Sequence, residues 1–408
     1  MSSRIFKDRM VFDESYKPRK LLVRGEEASM ITSRYAARLE EYSGFTDVSL
    51  IYGSIGRVGI GKTTVAWHVG RGLSEFARGR GVNFKPVYVN AFGAPTLHQI
   101  LSVIVDQLGL NVSVRGSSPI EVLKAVVDYL YIRDTFSLII IDEFQSLLLS
   151  PKISDDDLYT LLRVYEEIPS KDGLNRMSFL LVASDFRVMP YMRERIPQIE
   201  SQIGFRVHLK PYTSEELKKI LVQRAEEGLK PGSWDDYLLD MISEYFGDDK
   251  GGDGSARKAI LTLRMAAELA EAEGLNTIRE GHVRRAISES ALAYIPLGDL
   301  RNLSTHELII IAAVAAETME KGGWTTTGDL RGRYEELSTY YGEEPRGHTQ
   351  FHTYLKNLAT IGLIEARLSS KGMRGKTTLI RLPPEIPADR IKEAVDSILL
   401  DRISQQKQ

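Results

Sequence analysis

The stretch that most constrains the fold is GSIGRVGIGKTTVAWHVG, residues 53–70, which directly follows the apolar run VSLIY. Gly56, Gly61, Lys62 and Thr63 have the spacing G-x-x-x-x-G-K-[ST] of a phosphate-binding loop. Glycines let successive backbone N–H groups surround phosphate oxygens, and the following helix directs its positive end at the same anion. An incidental glycine turn is the alternative, but it does not need the strand and helix that flank this loop. We therefore expect an α/β nucleotide-binding fold with a parallel sheet.

Each residue type in this loop has a chemical role. Lys62 would bring a mobile positive charge to the β- and γ-phosphates, and Thr63 would supply a hydroxyl ligand for Mg²⁺. The residues expected to contact bound ATP or ADP are Gly56, Val58, Gly59, Ile60, Gly61, Lys62, Thr63 and Thr64.

A second signal is FSLIIIDEFQSLLL, in which an apolar run ends in Asp142 and Glu143. Such a run indicates a central parallel strand, and ligands bind at the carboxyl ends of strands in open α/β sheets. Asp142 would hold Mg²⁺ through water, and Glu143 would orient the attacking water as a base. A strand followed by an acidic helix cap is the alternative explanation. Because the chain also contains a complete phosphate loop, we interpret Asp142 and Glu143 as the carboxylates of an ATPase.

The composition excludes several classes of protein. A chain of 408 residues is expected to form two or three domains, and the absence of cysteine excludes disulfides and cysteine-based zinc sites. The apolar runs are too short for a membrane span and the N-terminus lacks an apolar export core, so we expect a cytoplasmic, nucleoid-associated protein with no membrane partner. Because the net charge is −2, any binding of nucleic acid must come from a local basic patch.

The C-terminal third contains such a patch, beginning with PRGHTQFHTYLKNLATIGLI. Phe351, Leu355, Leu358 and Ile361 form one apolar stripe of a predicted helix. The opposite face and its flanks are polar, which suits the major groove of DNA. The residues expected to contact DNA here are Arg346, His348, Thr349, Gln350, Thr353 and Lys356.

Two strand-like pieces, LIEARLSS and TTLIRLP, follow this helix and enclose KGMRGK. The tip of this predicted hairpin carries Lys371, Arg374 and Lys376 among glycines, which suits phosphates and the minor groove. Helices followed by a hairpin with a basic tip predict a winged helix that binds double-stranded DNA. A winged helix that binds another protein is the alternative.

The order of these segments resembles that of AAA+ ATPases, and more closely the archaeal replication-initiator family. That family is related to the largest subunit of the eukaryotic origin recognition complex and to its helicase-loading partner. The segments that carry the resemblance are YKPRKLLVRGEEASMI, LKPYTSEELKKIL, GDGSARKA and the C-terminal winged helix. The resemblance runs from about Tyr16 to about Pro387 and implies three domains. These are an AAA+ nucleotide-binding domain over 1–211, a helical lid over 212–297 and a winged-helix domain over 298–408.

The resemblance also implies roles for individual residues. Arg257, in GSARKA, matches the second sensor arginine, which reaches the γ-phosphate from the lid. Arg195 is a candidate arginine finger acting on the nucleotide of a neighbouring subunit, with Arg193 as a competitor and ordinary surface charges as the alternative. The residues that would line the adenine side of the pocket are Pro18, Leu22, Arg24 and Glu26.

One position departs from the family pattern. The strand FLLVAS would normally end in a polar first sensor, typically Asn, but here the position is Ser184, followed by Asp185. Serine is shorter and offers one hydroxyl where the amide offers a donor and an acceptor. We therefore expect a weak ATPase with turnover below about 1 per second, in which ATP or ADP acts as a long-lived conformational ligand.

The family also has an insertion that touches the DNA backbone, and its counterpart here is NVSVRGSSP. Arg115, Ser117 and Ser118 would contribute a charge, hydroxyls and backbone N–H groups to phosphates. An ordinary polar loop between two helices is the alternative.

These features imply an ATP-dependent DNA-binding initiator that marks replication origins and helps recruit or load the replicative helicase, alongside sibling initiators. The bound nucleotide would change DNA affinity by shifting the balance of conformations. One alternative is a regulator or repressor that binds origins or promoters but does not load the helicase. Another is an ATPase that remodels proteins, which would leave the basic winged helix without a use.

Overall fold

In the computed structural model of the chain, the residues that the structure describes are 3–40, 47–92, 96–293, 300, 303–360, 363–368, 377–383, 386 and 388–406. The chain divides into two compact units, Met1–Ala267 with Glu271–Ile278, and Glu268–Ala270 with Arg279–Gln408. Within the described ranges, no helix is both long enough and apolar enough to span a bilayer.

The first unit is built on a parallel sheet, as the sequence predicted, and this sheet has five strands. Its strands are β1 (Val48–Gly53), β2 (Asn83–Asn90), β3 (Thr135–Asp142), β4 (Met177–Val182) and β5 (Phe205–Leu209), in the spatial order β2-β3-β4-β1-β5. Because β4 lies between β1 and β3 and all are parallel, the segments that follow these three strands meet at one edge of the sheet. The phosphate loop, Ser184 and Asp142 with Glu143 therefore come together.

Helices cover both faces of this sheet, and further helices follow its last strand in the chain. They are α1 (Gly25–Glu40), α2 (Lys62–Gly79), α3 (Leu97–Leu108), α4 (Pro119–Ile132), α5 (Gln145–Leu149), α6 (Asp155–Leu162), α7 (Val164–Glu167), α8 (Val188–Arg195), α9 (Pro197–Gln202), α10 (Ser214–Gly228), α11 (Asp236–Phe246) and α12 (Ala256–Ala272). Side chains alternate across β3: Ile139 and Ile141 pack in one core with α3 and α4, while Leu138 and Ile140 pack in another with α1 and α2. The two cores fix the edge at which the phosphate loop lies.

The N-terminal segment packs against helices that follow the sheet. Phe6 forms an isolated antiparallel bridge with Leu229, just after α10, and a short 3-10 helix follows at Arg9–Phe12. Arg9 forms an ion pair with Glu271 on α12. The first residues of the chain are thus attached to the helices that the sequence assigned to the lid, an association for which the sequence pattern gave no signal.

The second unit contains α13 (Glu280–Ala293), which the sequence assigned to the lid, and the predicted winged-helix elements. The winged-helix elements are α14 (Thr305–Lys321), β6 (Thr325–Thr326), α15 (Thr327–Tyr340), α16 (His348–Thr360), β7 (Glu365–Leu368), β8 (Thr378–Arg381) and α17 (Ala388–Gln406). Strands β7 and β8 are antiparallel, as predicted, and β6 pairs with the other side of β8. Ser304 and Glu307 form a capping box at the start of α14, which is buried over most of its length and packs on α15, α16 and α17.

Candidate functional site

The phosphate loop connects β1 to α2 in the conformation that its glycines permit. Gly59 and Gly61 have φ of 71° and 90°, in the left-handed region, and Gly61 is the N-cap of α2. A Cβ at Gly61 would overlap the hydroxyl of Tyr212, and one at Gly59 would lie 2.7 Å from Cβ of Arg257. The loop therefore needs glycine both for its conformation and for close packing at the N-terminus of an 18-residue helix. Backbone N–H groups at such a position bind phosphate.

Thr63 and Asp142 meet beside this loop. The hydroxyl of Thr63 donates a hydrogen bond of 2.6 Å to Oδ2 of Asp142. Both are oxygen ligands of the kind that Mg²⁺ binds, so this pair fits the predicted metal position. Burial lowers the pKa of the neighbouring Lys62 ammonium, while Glu143, Asp142 and Asp185 act to raise it.

Glu143 is held in an uncommon conformation at the end of β3. Its φ is 54°, which costs roughly 1 kcal/mol for a residue with a Cβ, and its N–H donates to Oδ1 of Asp142 at 2.9 Å. Its carboxylate accepts a hydrogen bond from the side-chain amide of Gln145. The same amide accepts a hydrogen bond of 3.0 Å from the backbone N–H of Ser184 through Oε1. Gln145 therefore links the predicted base to the predicted sensor, a role that sequence reasoning missed.

The start of α12 lies directly against the phosphate loop. The N–H of Ala256 donates to the carbonyl of Gly59 at 3.1 Å, and Ser255 Oγ accepts from the N–H of Lys258 at 3.4 Å, as expected of a helix cap. Arg257 follows in the first turn, with Nε 3.7 Å from a carboxylate oxygen of Glu14. The helix dipole disfavours a cation at the N-terminus of a helix, and the negative charge of Glu14 offsets this effect.

A cavity of about 570 Å³ opens between the phosphate loop, the N-terminal segment and the helices α10 and α12. The predicted site residues that line it are Pro18, Leu22, Val58, Gly59, Ile60, Gly61, Lys62, Thr63, Thr64, Asp142, Glu143, Ser184 and Arg257. Residues that the sequence did not single out also line it, among them Tyr16, Lys17, Tyr212, Gln223 and Arg224. The cavity therefore brings together both predicted carboxylates, both predicted sensors and most of the phosphate loop.

Arg24 and Gly56, which were predicted to contact the nucleotide, are not among the residues that line this cavity. Arg24 is buried, donates to the carbonyl of Lys210 and stacks its guanidinium 4.4 Å from the ring centroid of Tyr212. Because Tyr212 itself lines the cavity, Arg24 supports the wall rather than forming it. Gly56 has φ of 69° and shapes the turn of the loop.

The guanidinium of Arg195 is bonded within its own chain. It donates 2.7 Å hydrogen bonds to Oδ1 of Asp155 and to the carbonyl of Leu148, and one of 2.6 Å to the carbonyl of Ile153. Its side chain is 22% exposed, whereas that of Arg193 is 70% exposed and lies 3.7 Å from Glu200. Of the two candidate arginine fingers, Arg193 is the one with a side chain open to solvent.

The predicted insertion is a turn between α3 and α4. Arg115 is exposed and precedes Gly116, whose φ is 84°. Ser117 Oγ donates to the carbonyl of Ser113 at 3.0 Å, and Ser118 forms a capping box with Glu121 at the start of α4. The hydroxyls thus shape the turn, and Arg115 is left as its charged group.

The helix α16 divides into two faces as the sequence predicted. Phe351, Leu355 and Leu358 are buried in the core of the second unit, while Ile361 lies outside the described residues. The predicted DNA contacts are all exposed: Arg346, His348, Thr349, Gln350, Thr353 and Lys356. A row of hydroxyl, amide and basic groups therefore covers the surface of this helix.

The hairpin β7–β8 carries two arginines over one indole. The guanidinium carbons of Arg367 and Arg381 lie 4.1 and 4.5 Å from the ring centroid of Trp324, and Arg381 also pairs with Glu365 at 2.7 Å. These contacts place positive charge at the base of the predicted wing. The predicted tip residues Lys371, Arg374 and Lys376 lie outside the described residues.

Three family models match the chain. The model for an AAA domain matches residues 51–185, that for the Cdc6 AAA+ ATPase-type lid domain matches 218–288, and that for the CDC6 C-terminal winged helix domain matches 298–394. The three matches occur in the order that the sequence predicted.

Individual proteins resemble the chain over nearly its full length. It is 54% identical over 396 residues to the ORC1-type DNA replication protein 2 of Aeropyrum pernix, covering 97% of each chain. The solved structure of the A. pernix ORC2 protein in ADPNP–ADP complexes is 52% identical with a TM-score of 0.78, covering 98% of this chain and 100% of that one. That of the A. pernix ORC1 protein in complex with DNA is 28% identical with a TM-score of 0.71, covering 100% of both.

Proposed function

The chain belongs to the ORC1-type DNA replication proteins of archaea, and from this premise we propose that it binds ATP or ADP and recognises duplex DNA at replication origins. The observation that carries the proposal is the division of α16 into a buried apolar face and an exposed face of Thr, Gln, His and Lys side chains. Hydroxyl and amide groups on one exposed helix suit the donors and acceptors of the major groove. The related A. pernix ORC1 protein has been solved in complex with DNA, which supports the same role here.

Binding of a nucleotide is supported by the cavity and by the A. pernix ORC2 protein, which has been solved with ADPNP and ADP. Lys62 would contact the β- and γ-phosphates and Arg257 the γ-phosphate, while Thr63 and Asp142 would hold Mg²⁺. Bound Mg²⁺ would neutralise charge on the phosphates. Glu143 would orient water, and slow hydrolysis would leave the nucleotide as a conformational ligand.

Three further assignments follow from this proposal. The domains would comprise residues 1–211 for nucleotide binding, 212–297 for the lid and 298–408 for DNA binding. Arg115 would add a second, sequence-independent contact to a DNA phosphate, with Ser117 and Ser118 shaping its turn. Lys371, Arg374 and Lys376 would contribute the phosphate contacts of the wing.

The partners of the protein at an origin would be the replicative helicase and sibling initiators, and the protein would act at the nucleoid because its ligand is duplex DNA. The experiment for this part is recruitment of the helicase to origin DNA with and without the protein. Stimulated recruitment supports an initiator. Competition would instead establish a regulator that occupies the origin without loading the helicase.

DNA recognition is tested by measuring affinity for origin duplex and for a scrambled duplex. Thr353 and Thr339 form a matched pair, because each is exposed and each donates a 3.0 Å hydrogen bond to the carbonyl four residues before it. A Gln350→Ala/Thr353→Ala variant should lose about tenfold or more in affinity for the origin duplex alone, since base contacts carry the specificity. Thr339→Ala, on α15, should leave both affinities unchanged. Equal losses on both duplexes would contradict readout by α16.

A further inference from the structure

A buried polar cluster lies beneath the proposed DNA-binding surface in the second unit. His306, the second residue of α14, is 4% exposed. Its Nδ1 lies 2.9 Å from the hydroxyl of Tyr334, and its Nε2 lies 2.8 Å from Nε of Arg346. The backbone N–H of Arg346 also donates to the hydroxyl of Tyr334, at 3.0 Å. Histidine, tyrosine and arginine thus form a closed ring of hydrogen bonds.

The donors in this ring fix the protonation state of the imidazole. A guanidinium nitrogen can only donate, so Nε2 of His306 must accept, and the ring proton lies on Nδ1. His306 is therefore neutral. Burial and the charge of Arg346 both lower the pKa of His306, and Glu343, with a carboxylate oxygen 3.7 Å from Nε2, opposes them. The imidazole of His306 is also stacked on the aromatic ring of Tyr354 in α16, with the two ring centroids 6.2 Å apart.

The ring of hydrogen bonds uses only part of the Arg346 guanidinium. Arg346 is exposed and lies two residues before the start of α16. Among the described residues, no hydrogen bond or ion pair engages its Nη1 or Nη2. Four N–H donors are therefore available in the planar arrangement that binds phosphate oxygens in pairs.

We propose that His306 is a positioning residue for DNA binding: it holds Nε of Arg346 so that both Nη groups contact one backbone phosphate beside α16. The proposal rests on the proposed binding of duplex DNA. A free arginine loses rotamer freedom when it binds, and a guanidinium already fixed at Nε loses less. Because His306 is neutral, it restricts the Arg346 side chain without adding a charge to the DNA-binding surface.

The competing explanation is that the cluster only stabilises the fold, by tying the segment before α16 to α14 and α15. Stability alone does not distinguish the two roles. The salt dependence of DNA binding does, because each phosphate contact changes the slope of log K against log salt by about 0.9.

The experiment measures duplex binding over a range of salt concentrations for Arg346→Ala, His306→Phe and the double variant. Arg346→Ala should reduce the slope by about 0.9. His306→Phe should reduce it by nearly as much although it removes no cation, and the double variant should be no weaker than Arg346→Ala. His306→Gln should restore most of the slope, because its amide oxygen can accept from Nε. Lys356→Ala removes a different exposed cation on α16, so it should lower the slope additively in either background.

Three results would overturn the inference. If His306→Phe keeps the wild-type slope and loses only thermal stability, the cluster is structural. If His306→Phe and Arg346→Ala have additive effects, the two residues act separately. If the wild type binds no duplex even at low salt, the proposed function fails and the inference fails with it. This third result is distinguishable from the first two, because in both of those the wild type still binds duplex.

Discussion

The hydroxyl of Thr63 donates a hydrogen bond of 2.6 Å to Oδ2 of Asp142, a residue 79 positions further along the chain. Thr63 lies in the first turn of α2, directly after the phosphate loop, and Asp142 is the last residue of β3. Their contact joins the loop to the carboxyl edge of the sheet. It also defines the point at which a divalent cation would meet the phosphates of a nucleotide.

Thr63→Ala should therefore weaken the Mg²⁺-dependent part of ATP binding. Loss of a group beside a bound metal typically costs 10–100-fold in metal affinity, and we expect roughly tenfold here. Thr63→Ser keeps the hydroxyl and should retain most of the affinity. The measurement is titration with a fluorescent ATP analogue, with and without Mg²⁺. A loss of equal size without Mg²⁺ would show that Thr63 does not act through the metal.

Ser184 sets the expected rate of hydrolysis. Its backbone N–H donates to Gln145, and its side chain is shorter than the amide that the resemblance implies for a first sensor. The wild type should hydrolyse ATP at less than about 1 per second. Ser184→Asn should hydrolyse ATP several-fold faster with unchanged affinity for ATP. The reason is that Ser184 lines the cavity, so that the longer amide side chain would project into it from the wall. Glu143→Gln is the control and should bind ATP but not hydrolyse it. Fast turnover by the wild type would contradict a sensor weakened by serine.

Arg195 and Arg193 provide a comparison between two arginines on one helix. Arg195 donates to a carboxylate and to backbone carbonyls, so Arg195→Ala should lower the free energy of unfolding of the first unit by roughly 2 kcal/mol. Arg193→Ala should change it by less than about 0.5 kcal/mol, as is usual for an exposed surface residue. Urea denaturation measures both. If instead Arg195→Ala left stability intact but reduced hydrolysis in the assembled protein, Arg195 would be the arginine finger.

The second unit should lose stability in mild acid through His306. Burial holds the pKa of the folded imidazole below its ordinary value of 6.5. The unfolded chain therefore binds more protons, and the contribution of neutral His306 is present above about pH 6.5 and lost as the pH falls through the folded pKa. His306→Gln lacks this titration, so its free energy of unfolding should fall less than that of the wild type between about pH 8 and about pH 5.

This pH dependence is measured by urea unfolding followed through Trp324, with Trp67 and Trp234 replaced by phenylalanine so that the signal reports the second unit. His348 and His352 are present in both proteins, so their titration cancels in the comparison. Parallel pH profiles for wild type and His306→Gln would mean that His306 is not held neutral by the fold.

Local spacing predicted much of the site. The phosphate loop, Asp142 and Glu143 could be identified because each occupies a fixed position beside an apolar strand, and parallel strands bring such positions to one edge. The two faces of α16 were equally predictable, because helical periodicity places Phe351, Leu355 and Leu358 on one side.

The remaining features depend on contacts between distant segments. Gln145 follows a strand as any polar residue could, and only the fold places its amide between Glu143 and Ser184. The resemblance made Arg195 a candidate arginine finger, but sequence cannot show that its guanidinium donates to carbonyls of its own chain.

His306 illustrates the same limit in the second unit. Its position at the start of an apolar helix predicts an ordinary core or surface residue. Its partners Tyr334 and Arg346 lie 28 and 40 residues further along the chain. No periodicity relates these three positions, so the cluster becomes visible only once α14, α15 and the segment before α16 are packed.

The proposed function requires the protein to recognise origin duplex under the control of its bound nucleotide. The most direct measurement is a footprint on origin-containing duplex with ATP, with ADP and without nucleotide, comparing the wild type with Lys62→Ala. Lys219→Ala is a matched control, because Lys219 is exposed on α10 and pairs with Glu215 at 2.8 Å. We predict one discrete protected site whose affinity depends on the nucleotide in the wild type and in Lys219→Ala, and loses that dependence in Lys62→Ala. The absence of any discrete protected site at low salt would contradict origin recognition by this protein.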